Sequence, residues 1–387
     1  MLTLSIVSGC TKKNTSGTEG AQSAASNNTA QTSGDVIKIG EVGSMTGEEA
    51  SFGISTHQGV ELAMKQINAA GGVKGKKLEE VLVDDQGRPD EAATAVTKLI
   101  TQNGVSAIIG EVASSRSLAM APIAQRYKIP MITPTSTNPD VTKKGDYIFR
   151  ACFIDSFQSK VMARFALDNL KLKKFAILRD VKNDYSVGLS NLFTQYIKEG
   201  GGTITIDQSY SAGDKDFKGQ LTAIRATNPD AIYVPGYYGD VVLIGRQARE
   251  LGIKAPMMGG DGWDSPKLKE IGGEALNGYY ISNHYSTGDK NPKTQEFVAK
   301  YKAAYGNLPD SMAALSYDAM LMLADAMNRA KSLSPSDVRD ALAATKDFDG
   351  ITGKISMGAD RNPVKSAVVL KLVNGGDFEY VTSVAPF

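Results

Sequence analysis

Acids and aromatics recur at the ends of apolar runs in the second half of the chain. Arg179 to Ser186 carries Asp184 and Tyr185, Pro235 to Asp240 carries Tyr237 and Tyr238, and Gly259 to Asp264 sets Asp261 and Trp263 among glycines. An aspartate in such a glycine-rich turn can pair a cationic group of a small ligand; its plainer reading is an Asx-turn, and that of the single Trp is a packing anchor. The first half offers the opposite chemistry. Ser114, Ser115 and Ser117 follow one apolar run, and Thr133, Thr135, Ser136 and Thr137 follow the next. Hydroxyls at a helix start, with free N–H groups and the positive dipole end, suit a carboxylate, although plain capping and a surface turn explain each cluster alone. The loop Gly43 to Gly53 adds Phe52. Anion-binding groups in one half, an acid in the other and aromatics in both suit a zwitterion with an apolar side chain.

The elements that must position these loops alternate. A β-rich run at Val36–Val42 precedes an amphipathic helix at Gly59–Ala69, which Gly71-Gly72 stops. Strands at Leu78–Val83, Ala107–Ile109 and Met131–Ile132 then alternate with helices at Glu91–Gln102 and Leu118–Tyr127. A second series has strands at Phe175–Leu178, Thr203–Gln208, Ala231–Val234 and Met257–Met258, with helices at Val187–Lys198, Phe217–Ala226 and Val241–Leu251. The apolar runs are too continuous for strands with a wet face, so they read as buried parallel sheets in an α/β chain of two doubly wound lobes. In such sheets ligands sit beyond the carboxyl ends of the strands, where these loops lie. Helices near Thr294–Tyr305 and Ser311–Ala330 and a strand near Ala367–Val373 follow, and their order alone assigns them to neither lobe.

Composition narrows the function. The chain has 387 residues, 42% of them hydrophobic, with 43 Lys+Arg against 42 Asp+Glu and a formal charge of +1. That balance gives no electrostatic footprint for nucleic acid or for a polybasic membrane surface. Only His57 and His284 are present, which disfavours His-based zinc sites and triads, and no G-x-S-x-G elbow occurs. Asp84-Asp85 and the pair Asp261/Asp264 lack a third acid at metal-ligand spacing, so neither a metal nor another cofactor is expected. Gly71-Gly-Val-Lys-Gly75-Lys-Lys follows a helix and lacks the Ser/Thr of a phosphate loop. The helix around Ser311–Ala330 is interrupted by Asp318 and Asp325 and reads as core, not as a membrane span. With no catalytic constellation, the chain is not expected to be an enzyme.

The first thirty-five residues read as address and tether. The short apolar run ending Val7-Ser8-Gly9-Cys10 looks like a lipobox at the end of a signal peptide, with Cys10 as the lipid attachment point. Residues 11–35, rich in Ser, Thr, Asn, Gln, Ala and Gly, cannot bury enough surface to fold and read as a disordered tether. The second cysteine, Cys152, is expected to be a small buried thiol.

These motifs together resemble the leucine/isoleucine/valine-binding protein family, the substrate-binding proteins of ABC transporters with the type I periplasmic-binding-protein fold. The matching runs include GSMTG with FG, INAAGGVKGKKLEEVLVDDQGRP, IIGEVASS, IPMITPTSTNPDVT, FAILRDVKNDYSVGLS, MMGGDGWDSP and ALSYDAMLMLADAM, in order along everything after the tether. The resemblance implies two lobes joined by three crossovers: residues 36–154 with 285–362, and residues 155–284 with 363–387. It implies a monomer at the periplasmic or cell-surface side, touching the membrane only through its lipid and passing a free amino acid to a permease. A branched-chain aliphatic ligand is implied first; relatives of this fold take amides, aromatic acids or other amino acids, or act as sensors. Carried over by position, Ser114 and Thr137, with Ser115 beside them and backbone groups at Thr135, would hold the ligand α-carboxylate. Asp261 would pair the α-ammonium, helped by Tyr185 and Tyr237, while Phe52 would line the side-chain pocket and Trp263 shape it. Two positions depart from the leucine-binding pattern: Asp261 stands where those members carry the longer Glu, and Phe52 replaces a Tyr.

Overall fold

The computed structural model describes residues 36–386; the expected signal segment, the lipid attachment at Cys10 and the tether 11–35 lie outside the described residues. Five strands make the first sheet: β1 (Val36–Gly43), β2 (Lys77–Asp84), β3 (Ala107–Ile109), β4 (Met131–Thr133) and β5 (Ile148–Arg150). All run parallel, in the order β2-β1-β3-β4-β5. The second sheet takes β6 (Lys174–Asp180), β7 (Thr203–Tyr210), β8 (Ala231–Tyr233), β9 (Met257–Gly259) and β10 (Tyr280–Asn283) in parallel. A short antiparallel hairpin, β11 (Phe348–Gly350) with β12 (Gly353–Ile355), stands apart, and β13 (Ala367–Val373) and β14 (Asp377–Val384) extend the second sheet antiparallel, giving β14-β13-β10-β9-β8-β6-β7.

Helices cover both faces of each sheet. They are α1 (Ala50–Ala69), α2 (Pro89–Lys98) and α3 (Ser114–Tyr127), then α4 (Asp155–Arg164), α5 (Asp184–Glu199), α6 (Lys218–Ala226), α7 (Tyr238–Glu250) and α8 (Pro266–Gly272). Finally come α9 (Pro292–Tyr305), α10 (Ser311–Arg329) and α11 (Pro335–Ala343). Strand alternation sends Ile37 and Ile39 toward α1 and α10, and Val42 and Ile108 toward α2 and α3. In the second sheet Phe175 and Ile177 meet α4 and α5, while Ala176 and Leu178 meet α6 and α7. The helices α9 to α11 pack on the first sheet, so the chain passes between sheets three times: after β5, after β10 and after β12. Among the described residues no helix is long and apolar enough to cross a membrane.

The largest difference from the sequence reading is the start of α1, at Ala50 instead of near Gly59. Ser51, Gly53, Ser55 and Thr56 are weak helix formers, and packing overrides them. Gly53 and Gly59 are there for close approach: a Cβ at either would lie 2.2 Å from a backbone oxygen, of Ser44 and Ala313 respectively. Cys152 is buried, its Sγ donates to the Ser136 carbonyl at 3.3 Å, and burial pushes its thiol up to about 12. It is an inert packing group at the first passage between sheets.

Candidate functional site

Each sheet has one place where strand order reverses: between β1 and β3 in the first, between β6 and β8 in the second. Loops leaving neighbouring strands there diverge and open a crevice. Phe52 and Ser114 follow the first switch point, Tyr185 and Tyr237 the second, and Asp261 comes from the adjacent β9. These residues and Thr135 wall one small cavity.

One end of the cavity is acidic. Asp261 is 2% exposed and sits in a short turn after β9. Its Oδ1 accepts from the Tyr185 hydroxyl at 2.9 Å and from Gln158 Nε2 at 3.0 Å. Its Oδ2 lies 2.9 Å from His284 Nε2. Burial pushes the imidazole below its usual pKa despite the carboxylate, so His284 is neutral and donates through Nε2–H. The ring stacks on Phe153, 3.7 Å between centroids. The Tyr185 hydroxyl also accepts the Gly262 N–H at 3.0 Å, so loop and acid are held as a unit. Gly262 is obligatory, because a Cβ there would lie 2.8 Å from Tyr237 Cδ1 and 3.1 Å from the Gly236 carbonyl. Behind this set, burial pushes the Asp155 carboxyl up to about 7; Gln158 bridges it to Asp261 by a second 2.9 Å bond.

The other end holds the start of a helix. Helix α3 starts at Ser114, and the residue before it, Ala113, provides no side-chain cap, which leaves N–H groups free at the positive dipole end. Ser114 Oγ accepts the Asn138 N–H at 3.2 Å, and Thr135 Oγ1 donates to the Val112 carbonyl at 3.1 Å. The fully buried Arg150 fixes this loop by donating to the carbonyls of Ser136, at 2.6 Å, and Asn138, at 2.8 Å. In the first turn of α3, Arg116 pairs with Glu49 at 2.7 Å and Glu111 at 2.9 Å. Burial pushes Glu111 up to about 7 even with that guanidinium beside it.

Between the two ends the wall is apolar. Phe52 stands edge-on to Tyr237 at 5.4 Å and to Tyr238 at 4.9 Å, and Val112 and Met312 complete the lining. Bonds across the cleft hold it shut: Tyr238 OH to the Glu48 carbonyl at 2.7 Å, the Asp184 N–H to Ser115 Oγ at 3.1 Å, and Ser51 Oγ to Ser265 Oγ at 2.8 Å.

Three residues singled out from the sequence stand off the cavity wall. Thr137 is buried behind it, 3.4 Å from Gln158 Nε2, with its carbonyl accepting the Asp155 N–H at 2.9 Å. Ser115 is a latch across the cleft, as above. Trp263 lies under the sheet, its Nε1 donating to the Val234 carbonyl at 2.9 Å and its ring beside Tyr279, which is the packing-anchor geometry. The sequence reading did not single out Val112 and Met312 on the wall, or Gln158 and His284 behind Asp261. Gln158 opens no motif, and a lone His284 suggests only a triad or zinc partner. The signal for both was their polarity in a stretch of chain passing between lobes.

The family profile described as "Periplasmic binding protein" matches residues 36–377. The leucine-specific-binding protein of Salmonella typhimurium is 33% identical over 80% of this chain and 84% of that protein. Among solved structures, a leucine binding protein from Thermotoga maritima is 41% identical with a TM-score of 0.87, covering 90% of this chain and 99% of that one. A branched-chain amino acid transporter substrate binding protein from Streptococcus pneumoniae, in complex with isoleucine, is 36% identical with a TM-score of 0.86, covering 91% and 100%.

Proposed function

The chain belongs to the periplasmic binding protein family, and from that premise we propose that it is the solute receptor of an ABC importer that closes on one free branched-chain amino acid. The observation that carries this reading is the small closed cavity with a carboxylate at one end, a helix N-terminus at the other and an apolar wall between. The ligand ammonium pairs with Asp261, whose carboxylate accepts about four hydrogen bonds and has three of them filled by Tyr185, Gln158 and His284. The ligand carboxylate takes the free N–H groups of α3 with the Ser114 hydroxyl and the backbone N–H of Thr135. The aliphatic side chain lies against Phe52, Val112, Met312 and Tyr237. Asp261 does the work of a longer acid because three rigid donors bring it to the cavity wall.

Closure takes these bonds out of water, where charge-assisted contacts strengthen. The two moving bodies are residues 36–154 with 285–362, and 155–284 with 363–387. The receptor is a monomer tethered through Cys10 outside the cytoplasm, delivers cargo to its permease and performs no reaction on it. A thermal-shift screen over amino acids, amides and aromatic acids tests the reading. A ligand at about a hundred times its Kd adds about 2.7 kcal/mol, a readily measured rise in Tm. Leucine, isoleucine and valine should give the largest shifts; a shift with benzoate and none with these would refute it.

A further inference from the structure

Charged residues occupy three inward-facing positions of the first lobe, and they meet. On β1 the alternation Ile37, Ile39 places Glu41 on the face covered by α1, where a core residue belongs. The parallel register sets Glu80 of β2 opposite Ile39, on that same face. His57 descends on the pair from α1. Its Nδ1 lies 3.3 Å from Glu41 Oε2 and 3.1 Å from Glu80 Oε1. We infer that Glu41, His57 and Glu80 bind one divalent transition-metal ion of the zinc type and clamp α1 to the sheet.

Several observations converge on this site. The three donor atoms all lie within 4.8 Å of one another. Zinc bonds of about 2.0–2.2 Å give tetrahedral ligand separations of about 3.3–3.6 Å, so the 3.1 and 3.3 Å spacings need only slight widening. Glu41 is fully buried, and its second oxygen, Oε1, finds no hydrogen-bond donor. A buried carboxylate oxygen without a donor is costly, and a divalent cation that displaces the imidazole proton now held between the two acids would satisfy it. The donor set of one imidazole nitrogen and two carboxylates suits zinc over calcium or magnesium, which prefer all-oxygen shells. An entry path exists, because the side chains of His57 and Glu80 are 29% and 17% exposed. That side leaves the fourth position to water. The nearest further acid, Glu61, is engaged by Lys65 at 2.7 Å and by Tyr305 OH at 2.7 Å. None of these residues touches the amino-acid cavity, but α1 carries Phe52 into it, so the clamp stiffens one wall.

The test uses the full-length protein, stripped with chelator and titrated with zinc against a chromophoric competitor, beside His57→Gln, Glu80→Gln and Glu41→Gln. Wild type should bind one zinc with a micromolar or tighter Kd, unaffected by millimolar magnesium. His57→Gln and Glu80→Gln should weaken it by about tenfold or more while amino-acid binding stays intact. Those two side chains are partly exposed, so the test survives if Glu41→Gln fails to fold. No binding, or equal binding by wild type and both variants, would overturn the inference.

Discussion

Replacing Asp261 with Asn keeps the shape of the side chain and removes its charge. The carboxylate now accepts from three donors at 2.9–3.0 Å, and an amide would turn an NH₂ toward at least one of them. The substitution therefore costs the ligand ammonium its counter-charge and loosens the groups that aim the side chain. Truncating one partner of a buried, hydrogen-bonded charge pair costs about 2–5 kcal/mol. At about 1.4 kcal/mol per tenfold, leucine should bind roughly 30- to 4,000-fold more weakly. Calorimetry at fixed pH and salt reads the loss, with circular dichroism to verify folding. The control is 4-methylpentanoate, which keeps the carboxylate and side chain of leucine but lacks the amine. Its affinity should be poor in wild type and unaffected or improved by the substitution. A loss for leucine under about threefold, or equal losses for both compounds, would place the ammonium elsewhere and refute the reasoning.

Other expected outcomes follow from the same geometry. Ser115→Ala removes a bond made only across the shut cleft, so at about 1 kcal/mol it should weaken leucine binding about fivefold in calorimetry and leave the ligand-free Tm unchanged. Trp263→Phe deletes a buried donor and part of a packed ring, and should lower unfolding stability in urea by about 1–3 kcal/mol with little change in affinity. Glu111 has its carboxyl raised to about 7 by burial. A raised folded-state pKa gives stability that is full below the unfolded value of about 4.3 and is lost as pH rises through 7. Glu111→Gln should therefore flatten the fall in Tm between acidic and neutral pH; an unchanged slope would contradict the assignment.

Much of the architecture is legible in the chain because parallel strands buried on both faces write continuous apolar runs, as in Ala107–Ile109 and Ala231–Tyr233. The start of α1 is not legible, since tertiary packing on Ser44 and Ala313 selects glycines that look like loop. Nor is β5, three residues long, or β14; the strand at Ala367–Val373 is legible, but its antiparallel pairing with β10, far earlier in the chain, is not. In the site, loops after switch-point strands could be picked out, which brings Phe52, Ser114, Tyr185, Tyr237 and Asp261 to one cavity. Whether a hydroxyl in such a loop points in or back is decided by the third dimension, and Thr137 turns back toward Gln158. Met312 opens a helix of core-like composition, so nothing in its neighbourhood separates a wall residue from filler. The cluster of Glu41, His57 and Glu80 left one trace in the sequence, an acid at an inward position of the mostly apolar β1.

Titration calorimetry on protein freed of endogenous ligand by unfolding and refolding tests the central claim most directly. Leucine, isoleucine and valine should each bind at one equivalent with micromolar or tighter affinity, and dileucine, leucinamide, 4-methylpentanoate and benzoate should give little or no heat. Tight binding of benzoate or of the amine-free acid, with no heat from the branched-chain amino acids, would contradict a cavity built for a zwitterion.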